Sequence, residues 1–190
     1  MAAMKNPKTL LALPLALLLG AALAGDDAGM PMPEWMRKTK EHDGLARYAG
    51  EWTYTARHFM QPGAPAMETT GTSAGEMVLK GNYLRYEIRG SFGGMDWVGI
   101  WHLGFDTVKK EYVGIWMDDH NPVPSMSRGV EKDGVLTLEG EGPDPQTGRL
   151  ARSRMTLRWT GDDSFLLEGF RLVDKGAPVK NTEIEYRKAK

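Results

Sequence analysis

The spacing of hydrophobic positions changes at residue 50. Before it, apolar and long side chains recur every three or four residues, as on one face of a helix: Trp35, Lys38, His42, Leu45 and Ala49. Pro33 suits the first helical position, where its missing N–H costs nothing, and Gly50 suits the position just after the last turn. The pattern therefore predicts one helix over residues 34–48.

After Gly50 the helical period disappears. Short runs rich in Trp, Tyr, Val, Ile and Thr follow one another, separated by Gly, Asp, Asn and Pro. Ten such runs are predicted as strands: residues 51–60, 67–79, 83–92, 95–103, 111–118, 125–132, 135–141, 149–160, 165–173 and 179–187. The clearest hairpin has Asp133-Gly134 between two alternating runs, because this dipeptide favours the tight turn that joins antiparallel strands.

The links between these strands are too short for parallel connections, which need a dozen or more residues. The strands therefore form an antiparallel meander, and about ten of them exceed what an open twisted sheet holds comfortably. We expect an all-β fold: an antiparallel meander closed into a barrel of eight to ten strands, with one short N-terminal helix. A sandwich of two sheets is the alternative.

Both faces of two neighbouring strands, residues 95–103 and 111–118, are apolar. One face carries aromatic side chains and glycines: Trp97, Gly99, Trp101, Tyr112, Gly114 and Trp116. The other carries aliphatic side chains: Val98, Ile100, Val113, Ile115 and Met117. Such strands are covered on both faces, by a second copy of the chain or by the helix packed outside. The loop between them leaves the inward face undecided, because a slip of one residue exchanges the faces.

The N-terminus has the features of a secretory signal peptide. Lys5 and Lys8 precede the apolar stretch Leu10–Ala24, which ends in an Ala-Leu-Ala cleavage pattern. This stretch is shorter than the roughly 20 apolar residues that span a bilayer. We therefore expect cleavage after Ala24 and a periplasmic or secreted protein without a membrane span.

The rest of the chain divides into a flexible leader over residues 25–33, rich in Gly, Pro and Asp, and a single domain over residues 34–190. Residues 1–24 carry two Lys and no acid, so 22 basic and 25 acidic side chains remain, a net charge of −3. This balance offers no basic patch for nucleic acid. The chain has no cysteine, which excludes thiol catalysis and cysteine-bound metals.

Four segments carry a resemblance to a known family: Gly50-Glu51-Trp52, Gly81-Asn82-Tyr83-Leu84, the stretch from Leu103 to Asp118, and Glu185-Tyr186-Arg187. In order and spacing they resemble a bacterial family known only as a domain of unknown function, numbered fifteen seventy-nine, over most of residues 42–188. The chain departs from the family after Asp118, where it reads Asp-His-Asn-Pro. The resemblance implies a lipocalin-like barrel and no established activity. Lipocalins also place a basic side chain on the Trp of a Gly-x-Trp motif, a part that Arg187 could play for Trp52.

Candidate catalytic and metal-binding groups are few. Gly71–Gly75 reads Gly-x-Ser-x-Gly, but its flanks are strand-like, whereas a nucleophile elbow joins a strand to a helix. Asp118 and His120 could share a metal from one strand face, although a site needs further ligands. We expect no metal, no cofactor and no enzymatic activity, with a hydrolase that uses rim acids and histidines as the alternative.

Aromatic side chains concentrated in the strands favour a small-molecule site. Ligand pockets are mostly apolar with a few placed polar groups, so these residues and nearby arginines suit a small hydrophobic or amphipathic molecule with an acidic end. The candidate ligand-binding residues are Trp52, Tyr54, Tyr83, Arg85, Trp97, Trp101, Tyr112 and Trp116. The alternatives are that the aromatic side chains simply fill the core, or that the protein is a structural homodimer.

Overall fold

Ten strands in the computed structural model form a closed barrel, in which each strand pairs antiparallel with its sequence neighbours and β1 pairs with β10. The structure describes residues 32–61, 63–144 and 147–190, so the predicted signal peptide and most of the leader lie outside it. The strands are β1 Gly50–His58, β2 Met67–Val78, β3 Tyr83–Phe92, β4 Met95–Asp106, β5 Glu111–Asp118, β6 Ser125–Lys132, β7 Val135–Pro143, β8 Leu150–Gly161, β9 Ser164–Arg171 and β10 Val179–Lys188. This arrangement confirms the predicted meander barrel, at the upper end of the expected strand number.

The predicted N-terminal helix is shorter than expected and interrupted. A single 3-10 turn spans Glu34–Met36, and the α-helix α1 spans only Lys40–Ala46. Thr39 has an extended backbone between them, and its N–H donates to Nδ1 of His42 at 3.0 Å. Thr39 therefore acts as an N-cap that starts a new helix, a boundary that the three-to-four spacing of apolar residues does not reveal.

Helix α1 closes one end of the barrel, which we call the helix end. Leu45 of α1 and the following Tyr48 are buried in the core, beside Trp52 at the start of β1. The opposite end, which we call the far end, carries the loops after β1, β3, β5, β7 and β9. Among the described residues, no helix is long and apolar enough to cross a membrane.

The strand register settles which faces of β4 and β5 point inward. Trp101 pairs with Trp116 and also with Tyr86 on β3, and these aromatic side chains belong to the core or pack against it. The aliphatic side chains point outward, and Ile100 and Ile115 are half-buried there. The N-terminal segment lies against the helix-end part of this outer face, where Trp35, Met36 and Ile115 line one pocket and the Thr107 hydroxyl donates to the Trp35 carbonyl. The 3-10 turn of the predicted helix, rather than α1, is therefore the part that packs outside β4 and β5.

Candidate functional site

Large side chains fill the helix-end half of the barrel. Phe165 stacks on Tyr186 with ring centroids 4.3 Å apart, and Trp52 meets Phe165 edge to face at 5.0 Å. The void at the centre of this packing has a volume of about 10 Å³. A void of that size holds about one water molecule. The helix-end half is therefore a packed core.

The far half has a different lining. Gly114, Ser127, Gly140 and Ser153 pair in sequence across β5 to β8 and all face inward. Gly114 is buried, Ser127 and Gly140 are half-buried, and Ser153 is exposed. An exposed side chain on the inner face of a closed barrel means that solvent enters from the far end. We call this solvent-entered far half the cup; its inward-facing residues include Trp97, Trp116, Asp118, Ser127, Ser153, Met155 and Ile184.

Two tryptophans on β4 and β5 form the adjoining wall of the cup. Trp97 and Trp116 are half-buried, with ring centroids 6.1 Å apart in an edge-to-face arrangement. The two rings converge over Gly99, where an added Cβ would lie 2.1 Å from Cη2 of Trp116 and 2.9 Å from Cζ3 of Trp97. Glycine at this position therefore lets both rings lie against the strand. The indole Nε1 of Trp116 donates to Oδ2 of Asp118 at 2.9 Å, which fixes the carboxylate beside the rings.

The floor of the cup is aromatic and carries one unpaired hydroxyl. The Tyr186 hydroxyl is fully buried and has no hydrogen-bond partner within the described residues. Its neighbour Tyr54 donates to the Arg89 carbonyl at 3.2 Å, and the Tyr86 hydroxyl lies 2.8 Å from that of Ser73. Burial raises the pKa of Tyr186 well above its ordinary value, so this hydroxyl stays protonated. Buried hydroxyl groups usually find a partner, which makes Tyr186 the exception in this floor.

Charged groups are sparse inside the cup. Along the described strands of the far half, the inward-facing acidic, basic and histidine side chains are Asp118, Arg171 and His58. Burial lowers the pKa of His58 below its ordinary value, which favours the neutral ring. Arg171 lies 3.7 Å from the Asp144 carboxylate, which balances its charge. Asp118 forms no ion pair within the described part of the chain. Of these three side chains, it is therefore the one with a negative charge that no ion pair balances.

The predicted ligand-binding residues fall into three groups. In the first group, Trp97 and Trp116 line the cup, whereas Tyr54 and Trp101 are each 5% exposed and belong to the buried core. Trp52 and Tyr112 are buried at the helix end, where the Tyr112 hydroxyl donates to Glu131 at 3.3 Å. Tyr83 and Arg85 lie on the outer surface: Tyr83 packs over Gly104, and Arg85 pairs with Glu87 at 2.6 Å.

The small residues of the cup wall were not among the predicted site residues. Their signal in the sequence is glycine or serine at alternate positions: Ser125, Ser127 and Gly129 on β6, Gly140 and Gly142 on β7, and Ala151 and Ser153 on β8. The sequence suggested Asp118 as a metal ligand or as a rim acid of a hydrolase, because the pairing of Asp118 with Gly99 depends on the register of β4 and β5.

The Gly-x-Ser-x-Gly segment is explained by packing. It lies within β2, and Ser73 is 3% exposed. A Cβ on Gly71 would lie 2.4 Å from the Tyr54 hydroxyl, and one on Gly75 would lie 2.9 Å from Cδ2 of Tyr86. The two glycines therefore make room for aromatic side chains of the neighbouring strands, and the segment has no strand-to-helix elbow.

The histidines and acids at the rim do not converge. His120 Nε2 lies 3.1 Å from the Asp96 carbonyl, while the His120 backbone N–H donates to Asp118. The described residues contain no group of three or more His, Cys, Asp or Glu side chains that could hold a metal ion.

A basic side chain does lie over the first-strand tryptophan, but it is Lys188. Its Nζ is 5.8 Å from the ring centroid of Trp52, whereas Arg187 is exposed and pairs with Glu185 on the outer face. Strand alternation explains the difference: Tyr186 and Lys188 face inward, so Arg187 must face outward.

The fold defines the class of protein: an antiparallel meander barrel with a continuous ring of strands, in which a helix covers one end and solvent enters at the other. The family model of a protein of unknown function, DUF1579, matches residues 37–188, and the chain belongs to this family. A search of the curated proteins found no match.

Proposed function

We propose that this protein binds a small hydrophobic or amphipathic molecule in the cup, and that it does so in the periplasm or outside the cell. The observation that carries the proposal is the half-buried state of Trp97 and Trp116 on the inner face of the barrel. These rings keep apolar surface in contact with water at the end of a barrel whose other half is filled. Partly exposed aromatic surface in a concave site is typical of ligand pockets.

Barrel size supports the same interpretation. Eight strands enclose an interior just wide enough for side chains to fill, and this barrel has ten. The helix-end half uses the extra width for stacked aromatic rings, whereas Ser127, Gly140 and Ser153 pair side by side across the far half and fill little of it. The extra width at the far end is therefore available to a ligand.

The expected affinity follows from the apolar area. A ligand that buries about 400 Å² gains about 10 kcal/mol at roughly 25 cal/mol per Å². Association costs at least about 4 kcal/mol, which leaves a dissociation constant of about 10–100 μM. Preorganised walls, such as the Trp116–Asp118 pair, keep this cost near its lower limit.

A titration of the full chain with 1-decanol, followed by tryptophan fluorescence, tests the proposal. We expect a saturable change with one site per chain. Trp97→Phe should remove much of the signal, whereas the matched variant Trp35→Phe should leave it, because Trp35 lies before α1 and is 55% exposed. A change that grows linearly without saturation would show partition or quenching only and would contradict the proposal.

A homodimer is the second candidate, and the outer face of β4 to β6 favours it. Met117 and Met126 are 39% and 51% exposed there, next to half-buried Ile100 and Ile115. A large exposed apolar patch on a folded chain often marks a protein–protein interface. Sedimentation equilibrium of the wild type and of Ile115→Lys tests it: a dimer that the variant converts to monomer supports this role, and a monomeric wild type contradicts it.

A further inference from the structure

We propose that the cup selects a cationic amphiphile, with its ammonium group at the Asp118 carboxylate and against the faces of Trp97 and Trp116. This inference rests on the proposed ligand-binding function and adds the chemical class of the ligand. It departs from the acidic end that the arginines of the sequence suggest, because the structure places those arginines elsewhere.

The arginines that could receive an acidic group lie outside the cup or are already paired. Arg85 pairs with Glu87 at 2.6 Å, and Arg154 pairs with Glu139 at 2.6 Å, both on the outer surface. Arg171 faces inward but lies beside the Asp144 carboxylate. Within the described residues, an anionic ligand in the cup would therefore meet no arginine that lacks a carboxylate partner.

Asp118 keeps acceptor capacity for a cation. Its carboxylate accepts from the Trp116 indole at 2.9 Å and from the His120 backbone N–H at 3.1 Å. A carboxylate has about four acceptor sites, so two such bonds leave others free. Both bonds orient the carboxylate without neutralising its charge. An ammonium group at the remaining sites would supply the missing counter-charge.

The two tryptophans provide the second half of a cation site. The faces of aromatic rings attract cations, tryptophan most strongly, and cages of such rings recognise quaternary ammonium groups. Trp97 and Trp116 meet over Gly99, which is the cross-strand partner of Asp118. Rings and carboxylate therefore belong to one corner of the cup, while Met155 and Ile184 offer apolar contact for an alkyl chain.

Three probes with the same alkyl chain test the selectivity: decyltrimethylammonium, 1-decanol and decanoate, each titrated below its micelle-forming concentration. We expect the cation to bind about tenfold more tightly than the alcohol, and decanoate to bind more weakly than the alcohol. The preference should shrink as salt rises from about 0.05 M to about 0.5 M, because salt screens partly exposed charges.

Asp118→Asn should abolish the preference for the cation, so that this variant binds decyltrimethylammonium no more tightly than it binds 1-decanol, because the amide oxygen can still accept from Trp116 but the side chain carries no charge. Asp119→Asn is the matched control: it removes the same charge one residue further on, from an exposed side chain that accepts from the Val98 N–H, and should keep the preference. Equal binding of the three probes, tighter binding of decanoate, or an unchanged preference in Asp118→Asn would overturn the cation site while ligand binding stands. If none of the three binds, the proposed function fails as well.

Discussion

The indole Nε1 of Trp52 donates a hydrogen bond of 3.0 Å to the backbone carbonyl of Tyr48. Both residues are buried, and the bond ties the first strand to the segment that follows α1. The helix that closes the barrel is therefore held by the first residues of the sheet as well as by apolar packing.

Trp52→Phe is expected to lower the free energy of unfolding by about 2–4 kcal/mol, because it leaves the Tyr48 carbonyl unpaired and a gap in the core. Urea denaturation followed by circular dichroism measures the loss. Trp35→Phe, at an exposed position, should change stability by less than about 0.5 kcal/mol. Similar values for the two variants would mean that Trp52 does not anchor this end of the barrel.

Two buried tyrosines should respond differently to loss of their hydroxyl groups. Tyr86→Phe leaves Ser73 without its partner and should cost about 1–2 kcal/mol. Tyr186→Phe removes a hydroxyl that has no partner within the described residues, and should be neutral or stabilising by up to about 1 kcal/mol. Thermal denaturation of the two variants in parallel gives the comparison. An equal loss in both would show that a bound water pairs with Tyr186.

Two glycines should respond in opposite directions to an added methyl group. A Cβ on Gly75 would lie 2.3 Å from the Tyr48 carbonyl oxygen, so Gly75→Ala should cost about 2–3 kcal/mol. Gly44 lies in α1 with no atom within 4 Å of an added Cβ. Gly44→Ala should therefore stabilise by about 0.5–1 kcal/mol through helix propensity. Chemical denaturation decides the sign of each change, and a stable Gly75→Ala variant would contradict the close packing of β2.

Stability should fall steeply at high pH. Burial raises the pKa of Tyr48 to about 12, and it raises the pKa values of Tyr86, Tyr112 and Tyr186 as well. Tyrosines of the unfolded chain ionise near pH 10, so above that pH the unfolded state binds fewer protons than the folded state. The tyrosine contribution is therefore fully present below pH 10 and is lost as pH rises, by about 1.4 kcal/mol per unit for each such residue. Absorbance at 295 nm and circular dichroism should change together, and ionisation of all tyrosines near pH 10 in an intact barrel would contradict this.

The fold was largely readable from the sequence because turn chemistry and strand alternation are local signals. Asp133 and Gly134 both adopt positive φ, 53° and 76°, as the predicted tight hairpin requires. The start of α1 after Thr39 could not be predicted from such signals, because the hydrogen bond between Thr39 and His42 leaves the spacing of apolar residues unchanged.

The candidate site was readable only in part, because it depends on pairing between distant strands. Trp97 and Trp116 were identified as aromatic strand residues, but their convergence over Gly99 follows from the register of β4 and β5. Tyr83 is also an aromatic strand residue. Its position in the alternation of β3 places its side chain on the outer face of the barrel, where it is 44% exposed. An aromatic residue can be recognised in the sequence, but the register of the strands decides which face of the sheet its side chain lies on.

Filling the cup with larger side chains tests most directly the claim that a ligand binds in the far half of the barrel. Ser153→Phe adds a ring to the inner wall, and the double variant Ser127→Phe/Ser153→Phe adds two. Thr72→Phe adds the same bulk to an exposed outward position of β2 and serves as the control. With 1-decanol as the probe, binding should weaken about tenfold in the single variant and be lost in the double variant, while Thr72→Phe binds as the wild type does and all the variants stay folded by circular dichroism. Undiminished decanol binding by the folded double variant, or no saturable binding by the wild type, would contradict a ligand site in the far half of the barrel.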